Sequence, residues 1–190
     1  MAKALFIGNI AATALLTSLC SGVRPPYPEL NPALGKYQNA TNCLPIQETW
    51  YTIYRNYEND PVFGGTEKCG RFTSLGPAEN GSFPMLVEYG QSSIKVLTTL
   101  AASEGYDVNN LEYFQAVGGN SSLLVYVAYL DCSHQQQCLV FRNNYISDEA
   151  CTLILPVSGL RKNATCCDFI FDLLCGTKQK FYTYDDSCPD

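Results

Sequence analysis

The chain has 190 residues, with 18 acidic and 12 basic side chains and a formal net charge of −6 at pH 7. This balance argues against nucleic acid and anionic membranes as partners, because both are negatively charged. Hydrophobic residues form 46% of the chain, so one domain of this length can bury a substantial core.

The first 22 residues follow the order of regions that is typical of a secretory signal peptide. Lys3 precedes a mostly apolar segment, 4–19, and small residues follow at 20–22. The apolar segment is shorter than the roughly 20 residues that a membrane-spanning helix needs. We therefore expect a secreted, extracellular protein without a membrane span, whose mature chain is a single domain over 23–190.

The segment 23–42 is predicted to be an extended leader, because four prolines lie within 23–35. Eight short runs rich in tyrosine, valine, isoleucine and threonine follow, separated by turn residues, and each is predicted to be a strand. The runs are Glu48–Asn56, Thr66–Thr73, Met85–Tyr89, Ser93–Ala101, Leu111–Val117, Leu123–Leu130, Gln137–Asn143 and Ala150–Leu155. Short strands without intervening helices favour a β-sandwich or an up-and-down barrel.

The strongest hairpin signal joins the fifth and sixth runs around Gly118-Gly119. In the predicted register Phe114 lies opposite Tyr126, and Glu112 shares their face. Both faces of this hairpin are largely apolar, which predicts cover on both sides. A barrel with a lined interior and a helix packed outside would provide it.

The C-terminal segment 163–190 is predicted to contain a helix and a stapled tail. Residues 165–174 place apolar side chains, among them Phe169 and Leu173, at i, i+4 spacing, and Gly176 is a typical helix stop. A tail that does not pack on the domain is not expected to be this apolar and cysteine-rich. We therefore expect disulfides that fasten it to the barrel.

Cysteines and glycosylation sequons agree with an extracellular compartment. Nine cysteines follow the signal segment and are predicted to form disulfides; they are Cys43, Cys69, Cys132, Cys138, Cys151, Cys166, Cys167, Cys175 and Cys188. Four bridges leave one thiol over, and Cys166 and Cys167 are expected to have different partners because a vicinal disulfide is strained. The predicted glycosylation sites are Asn39, Asn80, Asn120 and Asn163.

Catalysis has little support in the sequence. His134 is the single histidine, and no metalloprotease, nucleophile-elbow or phosphate-binding motif occurs. A zinc site would need reduced thiolates and further converging ligands. We expect no enzyme activity, no cofactor and no metal.

The 13 tyrosines and nine phenylalanines favour a ligand pocket instead. An ammonium ligand prefers aromatic faces beside a carboxylate. The candidate ligand-binding residues are therefore Glu88, Glu112, Phe114, Tyr126 and Tyr54. The apolar faces of the 111–130 hairpin fit a fatty-acid or eicosanoid cavity equally well, so the ligand class stays open.

Taken together, these features resemble a lipocalin, and more narrowly the salivary histamine-binding protein family of ticks. The resemblance rests on Trp50 in the first strand, Cys69 in the second, and the pair Cys132 and Cys138 near the seventh. It rests most specifically on the spacing of the tail residues Cys167, Phe171, Cys175, Gly176, Tyr184 and Cys188. Three positions differ from related patterns: Glu48 stands where general lipocalins have glycine, Ser133 follows Cys132 where amine-binding members have aspartate, and no acid follows Cys138.

The resemblance implies an eight-stranded antiparallel up-and-down barrel with a C-terminal helix and a disulfide-stapled tail, one staple joining Cys69 to Cys188. It also implies a non-enzymatic monomer that sequesters a small host inflammatory mediator and so evades host defence. The mediator would be an amine such as histamine or serotonin, or a lipid such as a leukotriene or fatty acid. The alternative is a protein-binding immunomodulator, directed at complement, a cytokine or a receptor, that uses the barrel as a scaffold.

Overall fold

The computed structural model describes residues 27–133, 137–161 and 164–189. Three features named above lie outside these ranges: the signal segment, the single histidine and the sequon at Asn163.

Within the described ranges, nine antiparallel strands form one sheet that closes on itself. They are β1 Trp50–Arg55, β2 Arg71–Ser74, β3 Ser82–Tyr89, β4 Ser92–Ala101, β5 Leu111–Ala116, β6 Ser122–Asp131, β7 Cys138–Arg142, β8 Cys151–Pro156 and β9 Phe181–Tyr182. The order runs from β2 through β8 to β1, and β1 also pairs with β2, which closes an eight-stranded barrel. The short β9 pairs with the other end of β1. The predicted barrel is thereby confirmed.

Each predicted run overlaps one strand, and the largest difference is the late start of β2. This strand begins at Arg71, five residues after the predicted start. Cys69 has a φ of 61°, a left-handed conformation that interrupts extended chain. Its N–H donates to the Thr183 carbonyl at 2.7 Å, so this residue bonds to the C-terminal tail instead of a barrel strand.

The leader is compact, and the prediction of an extended segment is wrong for residues 28–42. Three short 3₁₀-helices occupy Pro28–Leu30, Pro32–Tyr37 and Ala40–Asn42. Proline suits the first helical position because its φ is already fixed there. Asn31 is the N-cap of the second 3₁₀-helix, because its side chain accepts a hydrogen bond from the Ala33 N–H at 3.1 Å.

A buried ion pair fastens this leader to the barrel. The Glu29 carboxylate accepts two hydrogen bonds from the Arg142 guanidinium, at 2.5 and 3.2 Å, and both side chains are buried. Arg142 lies at the end of β7 and also donates to the Leu174 carbonyl at 2.8 Å. One arginine therefore joins the leader, the barrel and the C-terminal helix.

The β5–β6 register differs from the prediction. Phe114 pairs with Leu123, and Glu112 pairs with Val125. The predicted partner, Tyr126, lies opposite Leu111. The observed pairs are centred between Gly118 and Gly119, whereas the predicted pairs are centred on Asn120, so the pairing is offset by three residues. Because side chains alternate along a strand, an odd offset exchanges the two faces of β6.

The C-terminal helix α1, Thr165–Cys175, confirms the predicted element but not the expected apolar face. Its buried side is formed by Cys167, Phe171 and Cys175. Phe169 and Leu173 are instead 65% and 68% exposed. The two buried cysteines are bonded to barrel strands, and these bonds fix the rotation of the helix about its axis.

Four disulfides join the described cysteines. The pairs are Cys43–Cys132, Cys69–Cys188, Cys138–Cys167 and Cys151–Cys175. The Cys69–Cys188 staple confirms the pairing that the family resemblance implied. Cys166 has no disulfide partner within the described part of the chain. The adjacent cysteines thus differ, one bonded to β7 and the other free.

Candidate functional site

The barrel interior contains two narrow cavities. We call them the Asp60 cavity, of about 40 Å³, and the Glu112 cavity, of about 30 Å³. Four residues line both cavities and form the wall between them: Phe72, Phe114, Phe141 and Ile154.

The Glu112 cavity is apolar apart from one carboxyl group. Its other lining residues are Cys43, Leu44, Ile46, Trp50, Phe72, Met85, Phe114, Leu130, Leu139, Phe141 and Ile154. Trp50 comes from the start of β1, and Leu44 and Ile46 come from the segment that precedes that strand. The cavity is therefore walled by aromatic rings and aliphatic side chains around a single ionisable group.

β5 places Glu112 in this cavity by simple alternation. Phe114 is buried in the interior core, and Glu112, two residues earlier, faces the same side. Its neighbours across the sheet are Leu100 on β4 and Val125 on β6. Both neighbours are apolar, so the sheet provides no polar partner for the carboxyl group.

The Glu112 carboxyl group is buried without a compensating interaction. The residue is 5% exposed and lines the cavity, and no hydrogen bond or charged group among the described residues acts on its carboxyl group. Desolvation raises its pKa from 4.5 to about 8. Burying a carboxylate without a partner is costly, and buried polar groups in folded proteins are nearly always satisfied. Glu112 therefore lacks a partner that a ligand could supply.

The Asp60 cavity contains a second buried carboxylate, but this one is satisfied. Asp60 lies in the loop between β1 and β2. It accepts hydrogen bonds from the N–H groups of Val62 and Phe63, at 3.0 and 2.9 Å. The Tyr57 and Tyr145 hydroxyls donate to its other oxygen at 3.0 and 2.9 Å. Burial raises the pKa of both tyrosines, so their hydroxyls remain donors.

Arg55 completes the organisation of this loop. Its guanidinium lies 3.7 Å from the Asp60 carboxylate and donates to the carbonyls of Glu58 and Gly65, at 3.1 and 2.9 Å. The Arg55 Nε atom is buried and has no hydrogen-bond partner among the described residues. Most hydrogen-bonding groups of Arg55 and Asp60 therefore hold the loop between β1 and β2 in place.

Glu88, the other candidate carboxylate, is paired. It accepts two hydrogen bonds from Arg71, at 2.8 and 3.1 Å, and both side chains are partly exposed. The register aligns these two residues with Tyr51, whose ring packs on Tyr184 of the tail at 5.1 Å. Glu88 lines the Asp60 cavity, but its carboxylate is directed to Arg71 beside Tyr51, away from Glu112.

Tyr54 and Tyr126 lie outside the barrel interior. The Tyr54 hydroxyl donates to Asp168 at 2.7 Å, and its ring packs against Phe171 of α1 at 4.8 Å. The Tyr126 ring lies 6.3 Å from Tyr27 of the leader. Of the five candidate residues, the structure brings together Glu112 and Phe114 on the wall of one cavity.

Several residues that line the Glu112 cavity are absent from the predicted ligand-binding residues. Trp50, Phe72 and Phe141 line the Glu112 cavity from three other strands. Alternation within each strand is visible in the sequence, but the inward face of one strand relative to the next depends on register. Asp60 was missed because it lies in a loop, where no periodicity marks it.

The predicted glycosylation sites stay predictions. Asn80 and Asn120 are exposed at turns. Asn39 is partly buried, and its side chain accepts a hydrogen bond from the Thr41 N–H at the start of a 3₁₀-helix. A glycan would attach through Nδ2, which donates to Asn42 Oδ1 at 3.4 Å, and would leave the bond to Thr41 in place.

No cluster of histidine, cysteine, aspartate or glutamate side chains in the described part of the chain could hold a metal ion. None of its helices is both long and apolar enough to cross a membrane.

Comparisons with known proteins give one family. A family model described as tick histamine binding protein matches residues 28–190. A search of curated proteins found no match. Among solved structures, the crystal structure of the AM182–serotonin complex is similar, with 16% sequence identity and a TM-score of 0.47. That alignment covers 87% of this chain and 95% of the other.

Proposed function

The chain belongs to the tick histamine-binding protein family, and from this premise we propose that it is a secreted, non-enzymatic scavenger of a small host amine. It would act stoichiometrically, by holding the amine in the Glu112 cavity and so keeping its free concentration low.

The observation that carries this proposal is the unpartnered carboxyl group of Glu112. A protonated amine supplies the positive charge and the N–H donors that the carboxylate lacks. Trp50, Phe72 and Phe114 would face the ligand with aromatic rings, which attract cations and pack on flat heterocycles.

Binding of an aromatic amine requires side chains to move. A cavity of about 30 Å³ has room for about two water molecules. The lining contains Met85, whose unbranched side chain adapts readily, and the rings of the shared wall. We propose that these side chains shift when the ligand enters.

The same cavity is poorly suited to a lipid with a carboxylate head group. The other residues that line it are uncharged, so a lipid carboxylate would find no counter-ion there. A protein-binding scaffold would have no use for a buried carboxyl group inside the barrel. Both alternatives leave Glu112 without a role.

Calorimetric titration with histamine and with serotonin tests the proposal. Saturable binding of at least one amine to the wild-type protein is expected, with loss of that binding in Glu112→Gln. Glu88→Gln is the matched control, because it removes a carboxylate that already has a partner, and it should bind the amine as wild type does. Absence of saturable binding of either amine to the wild-type protein would refute the proposal.

A leukotriene, a fatty acid and cholesterol belong in the same series of titrations. Trp50 is the single tryptophan and lines the cavity, so its fluorescence provides a second readout for ligands that do not absorb in its range. Tight binding of a lipid and none of an amine would instead support the lipid-scavenger alternative.

A further inference from the structure

Three phenylalanine rings cross the barrel interior and separate its two cavities. Phe72 lies on β2, Phe114 on β5 and Phe141 on β7, and all three line both cavities. In the circular strand order these strands are two or three positions apart, so the rings come from different sides of the barrel. They therefore meet across the interior instead of covering one wall, and we call them the ring partition.

Phe114 is the centre of the ring partition. Its ring centroid lies 6.4 Å from that of Phe72 and 6.0 Å from that of Phe141. Phe63, from the loop that contains Asp60, contacts the same ring at 5.8 Å. These separations are typical of favourable aromatic pairs. Phe114 touches each of the other three rings, so its removal would break every one of these contacts.

We propose that Phe114 is a specificity-determining residue, which restricts this chain to compact ligands by keeping the two cavities apart. The inference rests on the proposed function, because it concerns which ligands reach the Glu112 cavity. An amine with one or two rings needs space on only one side of the ring partition. An extended acyl chain needs a continuous apolar channel, and the ring partition closes that channel at its middle.

The test is a gain of binding in Phe114→Ala. Titration with cis-parinaric acid, a fluorescent fatty acid with a long chain, should give no saturable signal with the wild-type protein. The variant, in which the two cavities are joined, should bind it at least tenfold more tightly than wild type does. A folded Phe114→Ala protein without this gain would overturn the proposal, as would equally tight binding by the wild type.

Phe171→Ala is the matched control. This ring is also fully buried, but it packs beneath α1 and lines neither cavity. Its truncation should loosen the protein to a similar extent without joining the cavities, so no gain in fatty-acid binding is expected. A gain in Phe171→Ala equal to that in Phe114→Ala would mean that general loosening, and not the ring partition, controls access, and this result would also overturn the proposal.

Two further measurements keep the outcome clear. If Phe114→Ala does not fold, Phe114→Leu removes part of the ring with a smaller loss of packing, and its fatty-acid affinity decides the question. Histamine and serotonin binding are measured on the same wild-type sample. Their absence would refute the proposed function, whereas the comparison of fatty-acid affinities alone tests the ring partition.

Discussion

Glu112 and Phe114 lie two residues apart on β5 and face the same side of the sheet, so one short strand provides both the charge of the cavity and the ring at the centre of its wall. The carboxyl group has no partner among the described residues, while the phenyl ring contacts three other rings. An unpartnered carboxyl group and a well-packed ring thus lie next to each other. Removal of the Glu112 charge is expected to stabilise the protein, whereas removal of the Phe114 ring is expected to loosen it.

Glu112→Gln should stabilise the ligand-free protein at alkaline pH. Desolvation raises the Glu112 pKa from 4.5 to about 8, so between these values the native state holds a proton that the unfolded state has lost. Stability must therefore fall as pH rises through this window. The full difference corresponds to about 5 kcal/mol, and the buried amide will recover only part of it.

Denaturant unfolding of wild type and Glu112→Gln at pH 5 and pH 8.5 measures this effect. The variant should gain roughly 1–3 kcal/mol at pH 8.5 and little at pH 5, where Glu112 is neutral in the native state. Glu88→Gln should show no such gain, because Arg71 already compensates that carboxylate. An equal stability difference at both pH values would contradict the prediction.

The same substitution should abolish tight amine binding. Removal of one partner from a buried charge pair typically costs about 2–5 kcal/mol of binding free energy. Glu112→Gln would then be more stable but less active than wild type, a combination that a purely structural residue does not produce. Calorimetric affinities for histamine and serotonin, measured beside the unfolding data, test both halves of this prediction.

Amine affinity should increase with pH up to about 8. The ion pair requires ionised Glu112, so at lower pH the ligand must displace a proton, and each pH unit below 8 should weaken binding roughly tenfold. Above pH 8 the affinity should level off until the ligand amine itself deprotonates, near the lysine pKa of about 10.

Calorimetry in two buffers of different ionisation enthalpy counts the protons released. At pH 6.5 wild type should release close to one proton per amine bound, and the pH dependence should disappear from the residual binding of Glu112→Gln. Affinity that is constant between pH 6 and pH 8 would argue that another group pairs with the amine.

The leader should contribute to stability through Glu29. Glu29→Gln leaves Arg142 buried with an incomplete partner, and breaking a buried ion pair in this way typically costs about 3–5 kcal/mol. Amine affinity should not change, because this pair lies outside the barrel interior. Unfolding in denaturant measures the loss, and the Lys178–Glu149 pair on the surface provides the control: Glu149→Gln should have little effect.

Loss of the Cys69–Cys188 staple should destabilise the protein through the unfolded state. The bond closes a loop with a sequence separation of 119, which is nominally worth about 4–5 kcal/mol. A Cys69→Ser/Cys188→Ser double variant should unfold at lower denaturant concentration than wild type. An unchanged midpoint would mean that the hydrogen bonds of the tail suffice to hold it.

Much of the barrel could be predicted from local sequence. Turn residues separate the strands, and every predicted run overlaps one. The predicted β5–β6 register is wrong because it centres the hairpin on Asn120, whereas the observed pairs are centred between Gly118 and Gly119, where a two-residue turn places them. The wrong prediction that Tyr126 shares a face with Glu112 and Phe114 follows from that single register error.

The buried face of the C-terminal helix could not be predicted from the sequence, for a different reason. The i, i+4 pattern of Phe169 and Leu173 is as regular as that of the face that is actually buried. What decides between the two faces is the pairing of Cys167 and Cys175 with β7 and β8, and connectivity cannot be read from spacing. Similarly, Glu112 could be proposed as a site residue from its aromatic neighbours, but its lack of a partner is visible only once the strands are assembled.

The disulfide between Cys43 and Cys132 gives the Glu112 cavity a covalently anchored cover. Cys43, Leu44 and Ile46 line the cavity from the segment before β1, and the bond ties this segment to the residue that follows β6. If ligand arrives from the opposite end of the barrel, it must pass between the rings to reach Glu112. Ring displacement would then limit the speed of capture, so in stopped-flow experiments the observed association rate should reach a plateau at high amine concentration. Slow passage in both directions would favour a long residence time, which suits a protein that must retain its ligand.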